Sequence, residues 1–458
     1  MKHAWSIVVL GCLGGAEAQE ARRGAPIPVH PVDWKKDVEA WWGGHPFNPQ
    51  SPKRFRGPVA SPLPRVDVAK VRDQHPKSTT AGILEALQKL PPGGGTLWFP
   101  RDKGPYVITE PEKPVQNLYP GSGVIHLLRR SNVHFVSDGA VLQSAGTLFN
   151  ITSMEYADRK SVRTPVRNFY FKDLVFDGAG KAQEAVRFDH AADILFERCV
   201  FRNFAGYVPG GRRHHPGLIS AATKTDNLWA LECRFETGMY GVYWDGTHGS
   251  GLVGCTFGPG LSHAGALLLT NDDMCHWSPD AQRSAQYVVI ANSTMKGGGS
   301  AALVSMSGAN CLIADNVVAG LGTLVYCDGK PSGIMPDTLR YQYYGNRIVR
   351  NTLQQVRTLL SVRGWYQGPT KTYDIGRHLV RENVATGLET ILHLDPCHEG
   401  GRIEGIEVRN NRLSGPCRVR ITRPGVSGIR LAGNALSGTA ADRLVAPPGT
   451  DPKAVLFE

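Results

Sequence analysis

One short sequence pattern recurs between residues 194 and 436, and it restricts the possible folds more than any other feature of this chain. Each copy is a short run rich in β-branched and aliphatic residues, followed by Cys, Ser or Asn, any residue and an apolar residue, as in 194-ILFERCVF-201 and 378-HLVRENVA-385. The Cys, Ser or Asn stands at positions 199, 233, 255, 293, 316, 351, 383, 411 and 434. The intervals range from 22 to 38 residues, so loops of variable length must join strands of constant form.

A repeat of this kind predicts a solenoid. Stacked identical small polar or thiol side chains satisfy the turns of a parallel coil, whose rungs are about 4.8 Å apart. Hairpin signals such as Asn-Gly, which an antiparallel sandwich needs, are few. A solenoid also explains how a chain of 458 residues exceeds the usual size of a single core, because it grows along one axis. We therefore predict an all-β, single-stranded right-handed parallel β-helix.

The region before the repeat indicates how the coil begins. Ser78 or Thr79 is a candidate cap for a helix through Leu90, which Pro-Pro-Gly-Gly-Gly ends before the strand 96-TLWFP-100. A helix, a glycine-rich turn and a short strand near the N-terminus resemble the opening of the pectate-lyase-like parallel β-helix superfamily. That resemblance implies an N-terminal helix that caps the first coil and covers its exposed edge.

Four segments are expected along the chain. Residues 1–18 have the basic start, short apolar core and small-x-small site of a signal peptide, which predicts a secreted or periplasmic protein. Residues 19–75 are predicted to form an extended, proline-rich N-terminal arm. The parallel β-helix catalytic domain is expected at 76–445, followed by a C-terminal tail at 446–458. The eight cysteines that remain after the signal permit disulfides, but Cys199, Cys233 and Cys255 are predicted to form an inward thiol ladder.

A second strand follows each repeat, and its alternation predicts two columns of outward side chains. If Val325, Cys327, Leu360, Val362, Leu392 and Leu394 point inward, their neighbours point outward. The first column is then Asp245, Asp272, Ser307, Asp328, Arg363 and Asp395. The second is Tyr243, Thr270, Ser305, Tyr326, Ser361 and His393. Hydrophobic demand does not explain polar groups in these positions, so the columns indicate a binding face.

The sharpest chemical candidates are the adjacent acids Asp272 and Asp273. Like charges at such close range raise the pKa of one partner, as a general acid requires. Asp245 is expected one rung away, which brings three carboxylates together. One Asp on a rung and an Asp pair on the next resemble the polygalacturonase-family hydrolases, and the resemblance implies that these residues supply acid and base. The family's Gly-His-Gly and Arg-x-Lys motifs have no counterparts at the later positions.

The same three aspartates are also similar to the calcium-binding acids of certain β-helix pectate lyases. That resemblance implies a calcium cofactor and an Arg or Lys base that removes the α-proton of a uronate. Arg363 is the candidate base or substrate-carboxylate clamp, and its alternative is a salt bridge to Asp328 or Asp395. If the aspartates instead catalyse hydrolysis, no metal or other cofactor is expected.

Long insertions after the second strands are rich in aromatic and basic residues. Their rings are expected to stack on sugar faces and to wall a groove beside the acids, with Trp277, Trp365, Tyr341, Tyr343 and Tyr344 as the walls. A packing role for any single ring is the alternative. The candidate catalytic residues are Asp245, Asp272, Asp273, Asp328 and Arg363. The candidate substrate-binding residues are Lys224, Tyr243, His276, Trp277, Tyr326, Trp365, His393 and Asp395.

Three function classes follow. The first is a secreted glycoside hydrolase on a polysaccharide, the second a calcium-assisted polysaccharide lyase, and the third a non-catalytic glycan-binding β-helix. The acid column argues against the third class. The net charge of +11 favours an acidic or sulfated substrate, and the absence of a Lys/Arg block argues against a nucleic-acid partner. No apolar run is long enough to span a membrane.

Overall fold

The chain is wound into successive coils, each contributing parallel strands to three long sheets. The computed structural model describes residues 64–109, 124–152, 164–206, 217–222, 225–269, 285–297, 301–328, 341–363, 373–396, 402–437 and 443–458. Every pairing between strands in these ranges is parallel, and each strand, apart from those at the ends of a sheet, pairs with those of the preceding and following coils. The predicted parallel β-helix is confirmed, with the right hand that parallel crossovers adopt.

We call the sheet that precedes the corner positions sheet 1, and it has fourteen strands. Its strands are Arg65–Asp67, Gly95–Phe99, Val133–Ser137, Val166–Lys172, Ala191–Glu197, Asp226–Leu231, Gly251–Val253, Val289–Ala291, Leu312–Ala314, Arg347–Val349, Leu379–Arg381, Glu407–Arg409, Ile429–Ala432 and Val455–Phe457.

Sheet 2 follows the corner positions, and sheet 3 follows sheet 2 after a second bend. Two long strands, Arg234–Asp245 and Thr256–Leu269, run through both sheets and join them. The other strands of sheet 2 are Tyr106–Ile108, Val141–Ser144, Val175–Asp177, Val200–Arg202, Thr294–Lys296, Val317–Ala319, Thr352–Gln354, Val384–Thr386, Arg412–Leu413 and Ala435–Leu436. The other strands of sheet 3 are Ile125–Leu128, Phe149–Thr152, Val186–Asp189, Gly217–Ala222, Ala302–Met306, Thr323–Asp328, Thr358–Arg363, Thr390–Asp395, Arg418–Ile421 and Leu444–Val445.

A small fourth sheet leads into sheet 1 in the later coils. It comprises Tyr341–Tyr344, Tyr373–Gly376, Ile403–Glu404 and Val426–Ser427. Inside the coil, side chains of one type stack along the axis. Phe176, Phe201, Phe235 and Phe257 form one such stack, with ring centroids 4.9–5.3 Å apart. The apolar core therefore repeats with the rungs of the backbone.

The nine predicted corner positions lie in one stack, which confirms that prediction. Cys199, Cys233 and Cys255 are buried free thiols, and the backbone N–H of Cys255 donates to Ser293 Oγ at 3.1 Å. From Ser293 onward each corner N–H donates to the side-chain oxygen of the next corner asparagine, through Asn316, Asn351, Asn383, Asn411 and Asn434. We call this stack the corner ladder. All six cysteines in the described ranges are free thiols.

The N-terminal cap differs in its bounds from the prediction. Helices occupy Val68–Gln74 and Ile83–Lys89, so the predicted helix from Ser78 or Thr79 begins later than expected. Gly82 is its N-cap, with a left-handed φ of 78°, and Ser78 Oγ instead accepts from the N–H of Gly82 at 3.0 Å. The helix ends at Lys89, close to the predicted end.

Both ends of the coil extend into segments that the sequence assigned elsewhere. Strand Arg65–Asp67 and helix Val68–Gln74 lie within the predicted arm 19–75. Strand Val455–Phe457 lies within the predicted tail 446–458, and it pairs with Ile429–Ala432 as the last strand of sheet 1. The rest of the arm and the signal peptide lie outside the described residues, so the domain bounds stay predictions.

Substitution of a corner asparagine tests the corner ladder. Asn351 is fully buried, and its Nδ2 donates to Ile313 O and Asn383 Oδ1 at 3.0 and 2.9 Å. Asn351→Ala leaves buried polar groups without partners, so we expect it to lower the free energy of unfolding by about 3 kcal/mol. Denaturant titration measures this. Asn434→Ala, at the half-buried end of the ladder, is the control and is expected to cost less than half as much; equal costs would contradict the ladder's role.

A buried histidine predicts a pH dependence of stability. Burial lowers the pKa of His378 to about 4, and its Nδ1 accepts from the N–H of Asn346 at 3.4 Å. As the pH falls from about 6.5 to 4, the unfolded chain takes up a proton that the folded chain does not, so stability decreases by about 3 kcal/mol. An asparagine is expected to accept the same bond without titrating. His378→Asn should therefore flatten stability between these pH values, and an unchanged slope would refute the assignment.

Candidate functional site

The outer face of sheet 3 holds the candidate site, and its strands alternate as predicted. Val325, Cys327, Leu360, Val362, Leu392 and Leu394 all belong to the buried core of the coil. Their neighbours therefore point outward. In the later coils Ser305, Tyr326, Ser361 and His393 are in register in one column. Asp328 is in register with Arg363, and Arg363 with Asp395, which confirms the predicted register of these strands.

One rung differs from the prediction. In the strand Thr256–Leu269, Leu267 is in register with Tyr243 and Leu269 with Asp245. The prediction gave these positions to Thr270 and Asp272, and that register is wrong by three residues. The inward side chains of this rung are Ala266 and Leu268, which belong to the core. Because the shift is an odd number, it also exchanges the inward and outward parity of the strand.

Several predicted site residues lie outside the described residues. These are Lys224, Asp272, Asp273, His276, Trp277 and Trp365. Asp328 ends the strand Thr323–Asp328 in register with Arg363, and its side chain is not described. The roles predicted for these residues, including the calcium site of Asp245, Asp272 and Asp273, therefore stay predictions. In the described parts of the chain, no group of three or more His, Cys, Asp or Glu is placed to hold a metal ion.

A polar network occupies the outer face in the later coils. Arg363 Nε donates to Asp395 Oδ2 at 3.4 Å, and Arg363 Nη1 donates to Tyr326 Oη at 3.2 Å. Thr422 Oγ1 donates to the other oxygen of Asp395 at 2.6 Å. Ser361 Oγ lies 3.4 Å from His393 Nδ1. Arg363 is therefore paired with Asp395, as the alternative in the sequence analysis proposed, and its orientation is set by two partners.

A buried charged cluster occupies the outer face in the earlier coils, and the sequence analysis did not identify it. Arg187 is in register with Ser220, and Ser220 with Tyr243. Arg187 Nε donates to Asp189 Oδ2 at 3.2 Å, and Arg187 Nη1 lies 3.9 Å from Glu184 Oε1. Burial alone would lower the pKa of Arg187, but the two carboxylates raise it above its ordinary value. We call Glu184, Arg187 and Asp189 the upstream cluster.

Two aspartates stand two rungs apart in one outward column. Asp189 is in register with Ala222, and Asp245 occupies the same position on the next rung. Asp189 is 8% exposed and Asp245 6%. With rungs about 4.8 Å apart, their Cα atoms are about 10 Å from each other. On the intervening rung, Ser220 is in register with Arg187 and Tyr243, and Ala222 is the residue in register with Asp189.

The segment 186-VRFD-189 carried a signal for this cluster. It alternates in the same way as 242-VYWD-245, with apolar residues that point inward and an aspartate in the last outward position. The predicted columns began at Tyr243 and Asp245, two coils after this segment, and so did not include it.

Apolar side chains separate the upstream cluster from the later network on the outer face. Met239, Tyr240, Ala264, Leu267 and Ala302 form a cluster of their own, against which Tyr243 and Tyr326 pack. The two tyrosines that were predicted to bind substrate thus lie on either side of Leu267 in one column.

Tyr344, which was predicted to wall the groove, lies elsewhere. It is close enough to Tyr287 to influence its pKa, and Tyr287 belongs to an apolar cluster on sheet 1. The carbonyl of Tyr344 accepts from the N–H of Asn310. The side chains of Tyr341 and Tyr343 are not described.

Among the described residues, no helix combines the length and hydropathy needed to cross a bilayer.

The charges around His393 predict its titration. Burial lowers the pKa of His393; Asp395 opposes this shift, while Arg420 and Arg363 add to it. Histidine NMR titration should place this pKa below 6.5. Arg420→Gln should raise it, because a cation is removed, and Asp395→Asn should lower it further. Shifts in the opposite directions would contradict the geometry.

Comparison with known proteins supports the fold. No protein-family model and no curated protein matches this sequence. Among solved structures, a tailspike protein variant of E. coli bacteriophage HK620 in complex with a pentasaccharide is 16% identical, with a TM-score of 0.56, 86% of this chain covered and 67% of that one. A hyperthermoactive exopolygalacturonase from Thermotoga maritima is 12% identical, with a TM-score of 0.53, and 90% and 96% of the two chains covered. The chain has the right-handed parallel β-helix fold of these glycan-associated proteins.

Proposed function

We propose that this protein is a secreted glycoside hydrolase that cleaves an acidic or sulfated polysaccharide on the outer face of sheet 3. The observation that carries the proposal is the pair Asp189 and Asp245, both buried in one column of sheet 3 with one rung between them. Two carboxyl groups on either side of a gap are what glycosidic hydrolysis requires: one protonates the leaving oxygen and the other acts on the opposite face of the sugar.

The spacing favours inversion at the anomeric carbon. In inverting enzymes the two carboxyl groups are roughly 6.5–9.5 Å apart, which leaves room for a water molecule, whereas retaining enzymes need about 5 Å. The two-rung separation of about 10 Å refers to the Cα atoms, and carboxyl groups that extend in parallel from them would keep a separation of the first class. The Arg187 guanidinium pairs with Asp189, so we assign Asp189 to the carboxylate that activates water and Asp245 to the acid.

Asp272, Asp273 and Asp328 remain candidate catalytic residues. Asp272 and Asp273 follow Leu269, which is in register with Asp245, so an acid from this pair is a candidate to complete the site. Asp328 is in the same column further along the coil. Tyr243 and Tyr326, half-buried beside Leu267, are suited to contact a sugar ring, because a ring face stacks on the apolar face of a sugar.

The calcium-assisted lyase is the second candidate. It relied on Arg363 as the base, but Arg363 is paired with Asp395 and Tyr326. These contacts stabilise the charged guanidinium, and a base must be uncharged to accept a proton. A guanidinium that stays charged can also hold a substrate carboxylate, which is the other role predicted for Arg363. The non-catalytic alternative is disfavoured by the carboxylates concentrated on this face.

Substitution of the two aspartates tests the proposal. On a polysaccharide that the wild-type protein digests, we expect Asp189→Asn and Asp245→Asn each to lower turnover by about 10²–10⁴-fold, since each removes a positioned proton transfer. Release of reducing ends from a panel of plant, algal and animal polysaccharides measures turnover, and circular dichroism checks folding.

Asp177→Asn is the matched control. Asp177 is also a buried aspartate that pairs with an arginine, Arg202, at 3.0 Å, but it lies on sheet 2. Its substitution should leave turnover within a few-fold. Full activity in both sheet 3 variants would refute the mechanism. Products that absorb as unsaturated uronides, with loss of activity in a chelator, would establish the lyase instead.

A further inference from the structure

We infer that the outer face of sheet 3 ends in a subsite for the anionic group, a carboxylate or a sulfate ester, of a sugar in the same polysaccharide chain. Arg420 and Arg418 form its charged part. This inference rests on the proposed function, in that both place a glycan along sheet 3, but it concerns binding and not cleavage.

The strand Arg418–Ile421 presents two arginines on one face. Its burial alternates, with Val419 and Ile421 in the core and both arginines exposed. Arg420 is in register with His393, and so continues the column of Tyr326 and Ser361. The arginines therefore lie on the same outer face as the proposed catalytic acids.

The charge balance of this end of the face is positive. The positive charge of Arg363 is offset by Asp395. Within the described residues neither Arg418 nor Arg420 has an ion pair or a side-chain hydrogen bond, and both residues are exposed to solvent. His393 beside Arg420 has a lowered pKa, so at neutral pH it offers an uncharged ring for a hydrogen bond.

The chemistry of these groups selects the ligand. A guanidinium is a planar fork of donors that matches two oxygens of a carboxylate or a sulfate, and it is weakly hydrated, so it exchanges water for such an anion at low cost. A neutral sugar would gain little from two exposed cations. The net charge of +11 acts in the same direction, since it attracts polyanions.

The distance between the proposed catalytic acids and Arg420 determines which substrates can contact both. Arg420 is six rungs from Tyr243 in the column, roughly 29 Å along the axis. A chain must be long enough to reach from the acids to the arginines. The subsite should therefore improve binding of polymers that span both places, and leave unaffected the cleavage of oligosaccharides too short to reach the arginines.

Affinity electrophoresis of the full chain tests this inference. The gels contain polygalacturonate or alginate as uronate polymers, carrageenan as a sulfated polymer, and carboxyl-reduced polygalacturonate as the neutral counterpart. We expect the wild-type protein to be retarded in the uronate or the sulfate gels and not in the neutral gel, and the gel that retards it identifies the anion. Arg420→Gln should weaken binding about ten-fold, and Arg418→Gln with Arg420→Gln more strongly.

Arg412→Gln is the matched control, because Arg412 is an exposed arginine of the same coil on sheet 2. It removes the same charge and should leave binding unchanged. Equal weakening by Arg412→Gln would show a general charge effect and overturn the subsite, as would an unchanged affinity in Arg420→Gln or no retardation of the wild-type protein in any gel.

The two proposals fail separately. Arginine-dependent retardation without any cleavage would leave the subsite standing and refute the hydrolase. Cleavage with arginine-independent binding would do the reverse. Stronger retardation by DNA than by the glycan gels, also lost in Arg420→Gln, would mean that the arginines serve a different polyanion, and would overturn the inference.

Discussion

The parallel hydrogen-bonded ladder between successive coils is the constraint on which the rest of the molecule depends. Each strand is held in register by its neighbours, and its alternate side chains fill a core of stacked phenylalanines and aliphatic residues. A slip of one residue would turn a whole set of apolar side chains to the outside. Register is therefore strongly determined, and outward side chains are placed in columns whose successive members are about 4.8 Å apart, whatever their own preferences.

The corner ladder adds a polar constraint to this apolar one. Each corner N–H from Ser293 onward finds the amide oxygen of the following coil, and each amide nitrogen from Asn316 onward donates to a backbone carbonyl. Few other side chains can replace these asparagines, because a buried amide or backbone group left without a hydrogen bond is costly in free energy. The turn that ends sheet 1 is thus the same in coil after coil, while the loops elsewhere vary in length.

Much of this was accessible from the sequence, and the failures have definite physical reasons. The repeat predicted the coil, the corner and the inward residues, because a short apolar strand that ends in a buried polar residue, coil after coil, suits few folds besides a parallel solenoid. Register failed at 264-AGALLLTNDD-273, where consecutive leucines fit either face and alternation carries no information. Arg187 and Asp189 were missed although 186-VRFD-189 alternates like 242-VYWD-245. Pairing of Arg363 with Asp395 was foreseen as an alternative only, since a column of acids and bases does not show which neighbours meet.

A strand that is held in place by its core side chains can carry outward charged groups that do not themselves stabilise the fold. Burying Arg187 removes its charge from water at a cost in free energy, and this cost is offset only because Asp189 and Glu184 are held close to the guanidinium. Here the strand that carries Arg187 and Asp189 is held in place by its hydrogen bonds to the neighbouring coils and by Val186 and Phe188, which are in the core. The inward half of each strand supplies the stability and the outward half is free to hold charges. That division explains why one face can carry buried acids in its earlier coils and exposed arginines in its last coils.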